Sequence, residues 1–425
     1  MRMAEVPMPG VTVSIRARST RQPMRLRLPT SILLPLLAMA ACSSNPSPAA
    51  HVTPSATPGV TAAGPPVQDA SPSPSPSLAT PQTAGPSIQA LASIQMVTAT
   101  QGWAAGAGGV YATGDGVHWV KQFSSPEPVS GVDFIDASTG WVVGVQHLYR
   151  TTDGGAHWSA LPQASAPLRT VHFASRLLGW GVAGGDNVVA IHGWLIAYTG
   201  GVLMKTADGG VTWSALASPA NPQTVCFTGP SNGWLGTSTA VYRSTDGGLT
   251  WSESLARPDH TFVAAGQATL IECAGPVALW VDFEGGGAAM SHSPYLAYAT
   301  TDGTAWRLVM AEMYIENTIV PPSTPYGPGS YPGSFSVIDP YDAVFIGDGP
   351  ATMTDAMQLA ANGGSTLTNT GLIRDGWFTA GASFVSTSTG WVVVGLNASN
   401  GMAIEATRDG GADWSQQLTV SNPPG

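Results

Sequence analysis

Side chains suited to gripping or transforming a ligand gather in a few stretches of the 425-residue chain. One stretch presents Asp186, His192, Trp194 and Tyr198, and another Asp282, Glu284, His292 and Tyr295. A third holds Tyr326 and Tyr331, and Trp377 stands apart from all of them. Aromatic faces beside carboxylates and imidazoles suit recognition of sugars or peptides. Two carboxylates about 5–10 Å apart across a glycosidic bond would instead hydrolyse it. No His/Cys cluster has metal-ligand spacing, and no Asp-x-Asp-x-Asp series offers a calcium loop, so neither metal nor cofactor is expected.

The elements that must position these residues are repeats. Residues 151–158 read Thr-Thr-Asp-Gly-Gly-Ala-His-Trp, a turn in which Asp153 accepts from nearby N–H groups, two glycines supply positive φ and Trp158 opens the next strand. The same word recurs with Asp208 and Trp213, Asp246 and Trp251, and Asp409 and Trp414. Copies one residue shorter carry Asp115 and Trp119, and Asp302 and Trp306, while a decayed seventh begins at Asn362. Between the turns, short apolar runs alternate with Gly-Trp dipeptides, which indicates four antiparallel strands per unit. A four-stranded sheet of about 40 residues cannot bury both faces alone, and seven stacked around an axis can. The fold expected is an all-β, seven-bladed propeller over residues 87–425. Of 14 tryptophans, six follow the Asp turns, five follow glycine (Trp103, Trp141, Trp180, Trp234, Trp391) and Trp280 occupies the same slot. That leaves only Trp194 and Trp377 outside the scaffold.

Spacing then assigns the ends of the ring. From the Gly-Trp tryptophan to the next Asp-turn aspartate is 12 residues in three units, but 28 in the third (180 to 208), 22 in the fifth (280 to 302) and 18 in the seventh (391 to 409). In an up-and-down meander these expansions, like the long connector 312–333, fall at the end opposite the Asp turns. Repeat proteins place insertions on their binding face. His192, Trp194, Tyr198, Glu284, His292, Tyr295, Tyr326, Tyr331 and Trp377 are therefore the candidate ligand-binding set. The competing reading is that these loops pack on one another and cover the axial opening. Ring closure is expected to set residues 414–420 beside an N-terminal strand within 88–97.

Gly140-Trp141-Val142-Val143-Gly144 followed by Thr152-Asp153-Gly154-Gly155-Ala156-His157-Trp158 resembles the Asp-box (BNR) propellers, and within them the photosystem II assembly-factor propellers. The resemblance covers essentially all of the chain after the first 86 residues. It implies that the Asp box is a structural hairpin, distant from the ligand site. It also implies two functions to weigh: a binding or assembly propeller, and a sialidase-like glycoside hydrolase. Sialidases of this superfamily hold a substrate carboxylate with three arginines, the first near the opening strand. Residues 87–103 contain none, although Arg169, Arg257 and Arg374 occupy connectors at the elaborated end. Arg150, Lys205 and Arg243 precede the Asp box at one repeated position and read as scaffold. Binding without catalysis is the expectation.

Before the repeats, Met24-Arg-Leu-Arg-Leu-Pro and the apolar run 32–41 read as a secretory signal, with Met24 an alternative start. Leu37-Ala-Met-Ala-Ala-Cys42 resembles the lipobox of bacterial lipoproteins, which implies lipidation at Cys42 and an extracytoplasmic, membrane-anchored protein. Residues 42–86 are rich in Ser, Pro, Ala and Thr and are expected to form a disordered tether with a reach on the order of 100 Å. Removing residues 1–41 leaves 10 basic against 25 acidic residues, a net charge of −15 that repels phosphate backbones and argues against nucleic acid. The expected partner is a protein, peptide or glycan, and the propeller itself a monomer. Aligning Cys226-Phe-Thr-Gly-Pro with Glu272-Cys-Ala-Gly-Pro sets Cys226 and Cys273 one place apart on matching strands of adjacent blades, hence on facing sheet surfaces. A disulfide and two buried thiols both fit.

Overall fold

The computed structural model describes residues 87–258, 268–285, 292–312, 320–349, 355–373, 376–396 and 399–422. The signal segment, Cys42, the tether 42–86 and Arg374 lie outside the described residues. Seven four-stranded antiparallel sheets follow one another, each with its strands paired in sequence order. Blade 1 is built from Ser93–Met96, Gly102–Gly106, Gly109–Thr113 and Trp119–Phe123. The first, innermost strands of the next six blades are Val129–Phe134, Leu168–Phe173, Pro222–Phe227, Ala268–Ala274, Tyr331–Val337 and Gly376–Phe384. Among the described residues no helix is long and apolar enough to cross a membrane.

The Gly-Trp dipeptide is the packing unit between blades. Trp103 stacks on Phe134 of the next blade at 3.5 Å between ring centroids, Trp141 on Phe173 at 3.5 Å, and Trp180 on Phe227 at 3.6 Å. Glycine precedes the tryptophan because a Cβ on Gly140 would land in the ring of Phe134, its partner in the adjacent strand. Each indole also donates to the next blade's Asp-box turn: Trp103 Nε1 to Gly154 O (3.2 Å), Trp141 to Gly209 O (3.0 Å) and Trp180 to Gly247 O (3.1 Å). Arg150, Lys205 and Arg243 lie over Trp141, Trp180 and Trp234 at 5.0–5.4 Å, covering the exposed indole face as cation–π partners. The repeat weakens at blades 5 and 6, where the Trp280 indole N–H is buried without an acceptor among the described residues and Val344 replaces the tryptophan.

Asp153 shows what the Asp box does. Its Oδ1 accepts from the His157 N–H (2.9 Å) and the Thr151 hydroxyl (2.9 Å), while Thr151 Oγ1 accepts from the Gly155 N–H (2.8 Å). Gly154 and Gly155 have φ of 72° and 91°, which side chains with a Cβ rarely adopt. Those donors hold the Asp153 carboxyl down at about 2, and the equivalent bonds do the same for Asp208, Asp246 and Asp302. Gly154 N–H donates to Ser138 O, tying the turn to the loop between the first and second strands at the same end of the ring.

Ring closure differs from the expected pairing of the last strand with an N-terminal one. Ser415–Ser421 pairs only with Gly401–Thr407, and Ser93–Met96 only with Gly102–Gly106. Blades 7 and 1 meet instead through side chains: Trp391 Nε1 donates to Gly116 O (3.2 Å), Met96 N–H to Ser383 Oγ (2.9 Å) and Ala90 N–H to Asn422 Oδ1 (2.8 Å).

Candidate functional site

The 28-residue insertion of the third unit is a β-hairpin arm. Strands Gly179–Ile191 and Trp194–Thr206 each run 13 residues, more than twice the length of the blade-4 counterparts Gly233–Thr237 and Ala240–Ser244. The arm bends where Gly184, Gly185 and Gly200 take positive φ, and it turns at His192 and Gly193, with φ of 45° and 91°, as a two-residue hairpin requires. Its tip reaches across the ring. Gly193 lies against Ala92 and Ser93 of blade 1 and its carbonyl against Gly131 of blade 2. His192 Nδ1–H donates to Thr379 O of blade 7 (3.0 Å), with Ser334 Oγ of blade 6 at 3.4 Å, and Nε2 faces Glu284 Oε1 of blade 5 (3.3 Å).

Below the tip lies an axial cavity of about 520 Å³ lined by the first strands of all seven blades, with His192, Gly193 and Trp194 as one boundary. Its polar girdle follows a single rule. The second-last residue of the inner strand, or in blade 5 the third-last, bonds to the next blade's strand, one place further along. Phe134 N–H donates to Gln95 Oε1 (2.6 Å), Phe173 N–H to Asp133 Oδ2 (2.7 Å), Val337 N–H to Glu272 Oε2 (2.9 Å) and Phe384 N–H to Ser336 Oγ (2.9 Å). His172 Nε2–H donates to Phe227 O (2.8 Å), and Ser383 completes the circle at Met96. Between blades 4 and 5 the same position is a disulfide, Cys226–Cys273, with Cα atoms 6.1 Å apart. The disulfide is one of the two outcomes the cysteine offset allowed, and the residues that sequence reasoning missed are the other latches. Their signal was available: all but Glu272 directly precede the last residue of the inner strand, as in Asp133-Phe134, His172-Phe173, Cys226-Phe227 and Ser383-Phe384.

Most of the nine candidate binding residues meet beneath and beside the arm. Glu284 and Tyr295 are buried, and the Tyr295 hydroxyl donates to Gly329 O (2.9 Å). Trp194 and Tyr198 are half-buried in one apolar cluster with Tyr295, Ile196 and Phe335. His292 sits 3.3 Å from Glu312, and Tyr331 is half-buried at the start of blade 6. Tyr326 and Trp377 point outward, 60% and 52% exposed. Tyr326 borders a surface groove of about 650 Å³ beside blade 6, shared with Met357, Gln358, Asn369 and the exposed Leu372. Of the three arginines, Arg169 donates from Nε to Gly184 O, and Arg257 is buried with its guanidinium on the carbonyls of Ala268 and Glu284.

The electrostatics of the junction favour proton uptake on folding. Burial opposes a charged His192, but Glu284 and Asp348 beside it outweigh that penalty and push its pKa up to about 9. Burial likewise lifts Glu272 to about 7, against the stabilising Val337 N–H, and Asp355 to about 7. Burial also raises Asp282 and Asp348, where a neighbouring carboxylate adds to the effect. A group whose pKa rises on folding binds its proton more tightly in the folded state, so its stabilisation is full below the unfolded value and fades as pH climbs through the folded one. The melting temperature is expected to fall from pH 5 to pH 9, and His192→Gln should flatten the limb above pH 6.5. A melting temperature that rises over that interval contradicts this electrostatic assignment.

Residues 119–257 match the BNR-repeat family described as photosynthesis system II assembly factor YCF48. The chain is a seven-bladed propeller, and these residues carry BNR-type repeats. No curated protein matches it. Among solved structures, this propeller is similar to YCF48 from Cyanidioschyzon merolae, with 16% identity, 69% of this chain and 86% of that chain covered, and a TM-score of 0.45. It is also similar to an ancestral GH74 enzyme (13% identity, 78% and 54% covered, TM-score 0.48) and to a PL25 ulvan lyase (9% identity, 68% and 82% covered, TM-score 0.45). Likeness this distant brings no activity to the propeller.

Proposed function

We propose that this BNR propeller is a non-catalytic binding protein that docks a protein partner at its elaborated end, through Tyr326, Leu372 and Trp377. The observation behind this reading is the division of labour at that end. The ionisable and aromatic groups that could have formed a cleft (His192, Glu284, Tyr295, Trp194) are packed on one another, while Tyr326 and Trp377 keep large apolar faces in solvent. Exposed aromatics beside a groove are the side chains that dominate protein interfaces. A role in assembling a larger complex comes by analogy with the family that the repeats match. A glycoside hydrolase is the competing class, and turnover of a polysaccharide by the purified chain would support it over binding.

Trp377→Ala combined with Tyr326→Ala is expected to weaken capture of a crosslinked, identified partner by at least ~10-fold, because aromatic anchors contribute about 2 kcal/mol or more each. The melting temperature should be almost unchanged, since both side chains are exposed. Equal capture by the double variant refutes the surface. We also propose that Cys42 is lipidated and that residues 42–86 tether the ring to a bacterial membrane. On this reading Cys42→Ser shifts the protein from the membrane to the soluble fraction, and unchanged membrane association contradicts it.

A further inference from the structure

The girdle of latches brings two cysteines and a histidine together where a cation could reach them. A ring nitrogen of His172 and the sulfurs of Cys226 and Cys273 all lie within 4.8 Å of one another, contributed by blades 3, 4 and 5. All three residues line the axial cavity. A tetrahedral zinc ion with Zn–S bonds of about 2.3 Å holds its ligand atoms roughly 3.5–4 Å apart, within the 4.8 Å that separates these groups at most. His172 keeps one ring nitrogen for a metal. Its Nε2 faces the Phe227 carbonyl at 2.8 Å, and a carbonyl can only accept, so Nε2 carries the proton and Nδ1 keeps a lone pair. A backbone carbonyl on one ring nitrogen fixes the tautomer of metal-binding imidazoles, here leaving Nδ1 as the nitrogen for the metal.

In the oxidised protein both sulfurs are tied in the disulfide and neither is available as a thiolate. We propose that, once the Cys226–Cys273 disulfide is reduced, His172, Cys226 and Cys273 form a redox-gated site for one thiophilic divalent cation, such as zinc, with its fourth position open to the axial cavity. The chemistry balances with a dithiol as reductant. Two electrons pass from the dithiol, which closes to its own disulfide, and its two protons appear on Cys226 and Cys273. The cation then displaces those two protons as it binds both thiolates and the neutral imidazole. The site is soft enough to prefer zinc or cadmium over magnesium or calcium. It also keeps blades 4 and 5 linked when the covalent latch is open.

The test uses the full chain carrying Cys42→Ser, so that only Cys226 and Cys273 can supply sulfur. The chain is reduced, freed of reductant without air, and titrated with cadmium while the thiolate-to-cadmium charge-transfer absorbance is followed. This band ignores the surface histidines. One equivalent is expected to bind the reduced chain and none the oxidised chain, and zinc should compete it away. His172→Ala should weaken binding by at least ~10-fold, and Cys226→Ser should abolish the band. The cation should also raise the melting temperature of the reduced wild-type ring. The proposal is overturned if the reduced chain shows no such band, if His172→Ala binds as tightly as wild type, or if the reduced chain has lost its folded transition and cadmium does not restore it.

Discussion

Replacing Trp391 with alanine is expected to destabilise the ring by about 3–5 kcal/mol, the range for deleting a large aromatic from a packed core. Trp391 is fully buried and packs in one cluster with Ile94, Met96, Trp119 and Ile404. Its indole N–H donates to Gly116 O of blade 1, and Arg408 lies over its ring at 4.2 Å while donating to the same carbonyl (2.8 Å). Blades 7 and 1 come from opposite ends of the propeller and share no strand, so this side-chain junction holds the circle closed. Urea unfolding checks the expectation. Trp391→Ala should show a much lower midpoint, whereas the exposed Trp377→Ala should stay within about 0.5 kcal/mol of wild type. If the two variants unfold alike, closure does not depend on this contact.

Opening the Cys226–Cys273 bond, by Cys226→Ser with Cys273→Ser, is expected to cost about 4 kcal/mol. The two residues are 47 apart in sequence, and a loop of that size loses entropy of this order when closed in the unfolded chain. The serine latches are single hydrogen bonds, so Ser383→Ala or Ser336→Ala should each cost about 1 kcal/mol. Denaturant unfolding of the double serine variant, in buffer stripped of metal by a chelator, measures the difference. A loss no larger than that of Ser383→Ala would mean the covalent latch adds nothing beyond a hydrogen bond at the same position.

The blades were legible because their devices are local. An Asp box specifies its turn within eight residues, and a Gly-Trp dipeptide specifies a ring that needs a glycine beneath it. The one-place offset of Cys226 and Cys273 also follows from strand alternation alone. The fate of the insertion residues was not legible, because it depends on where the arm bends. His192 was readable as a chemical group, but not as a tip reaching blades 5, 6 and 7, since nothing near it in sequence names Glu284, Ser334 or Thr379 as neighbours. Ring closure was misread for a related reason. The alternating Trp414, Leu418 and Val420 fit a strand pairing with either end of the chain, and only the complete fourth strand of blade 7 settles which. Apart from Cys226, the latch residues escaped notice because their types differ from blade to blade (Gln95, Asp133, His172, Glu272, Ser336, Ser383) while their place in the repeat does not.

Site-specific photocrosslinking tests the binding account most directly. A photoreactive amino acid is placed at Trp377 in the full chain, and in a second variant at Leu249, which is exposed on the Asp-box turn of blade 4 at the other end of the ring. Both variants are expressed in the native host, and adducts are identified by mass spectrometry. A partner oriented by the elaborated end gives one reproducible protein adduct from position 377 and none from position 249. The same adduct from position 249, with none from 377, would contradict the account by placing recognition on the Asp-box end.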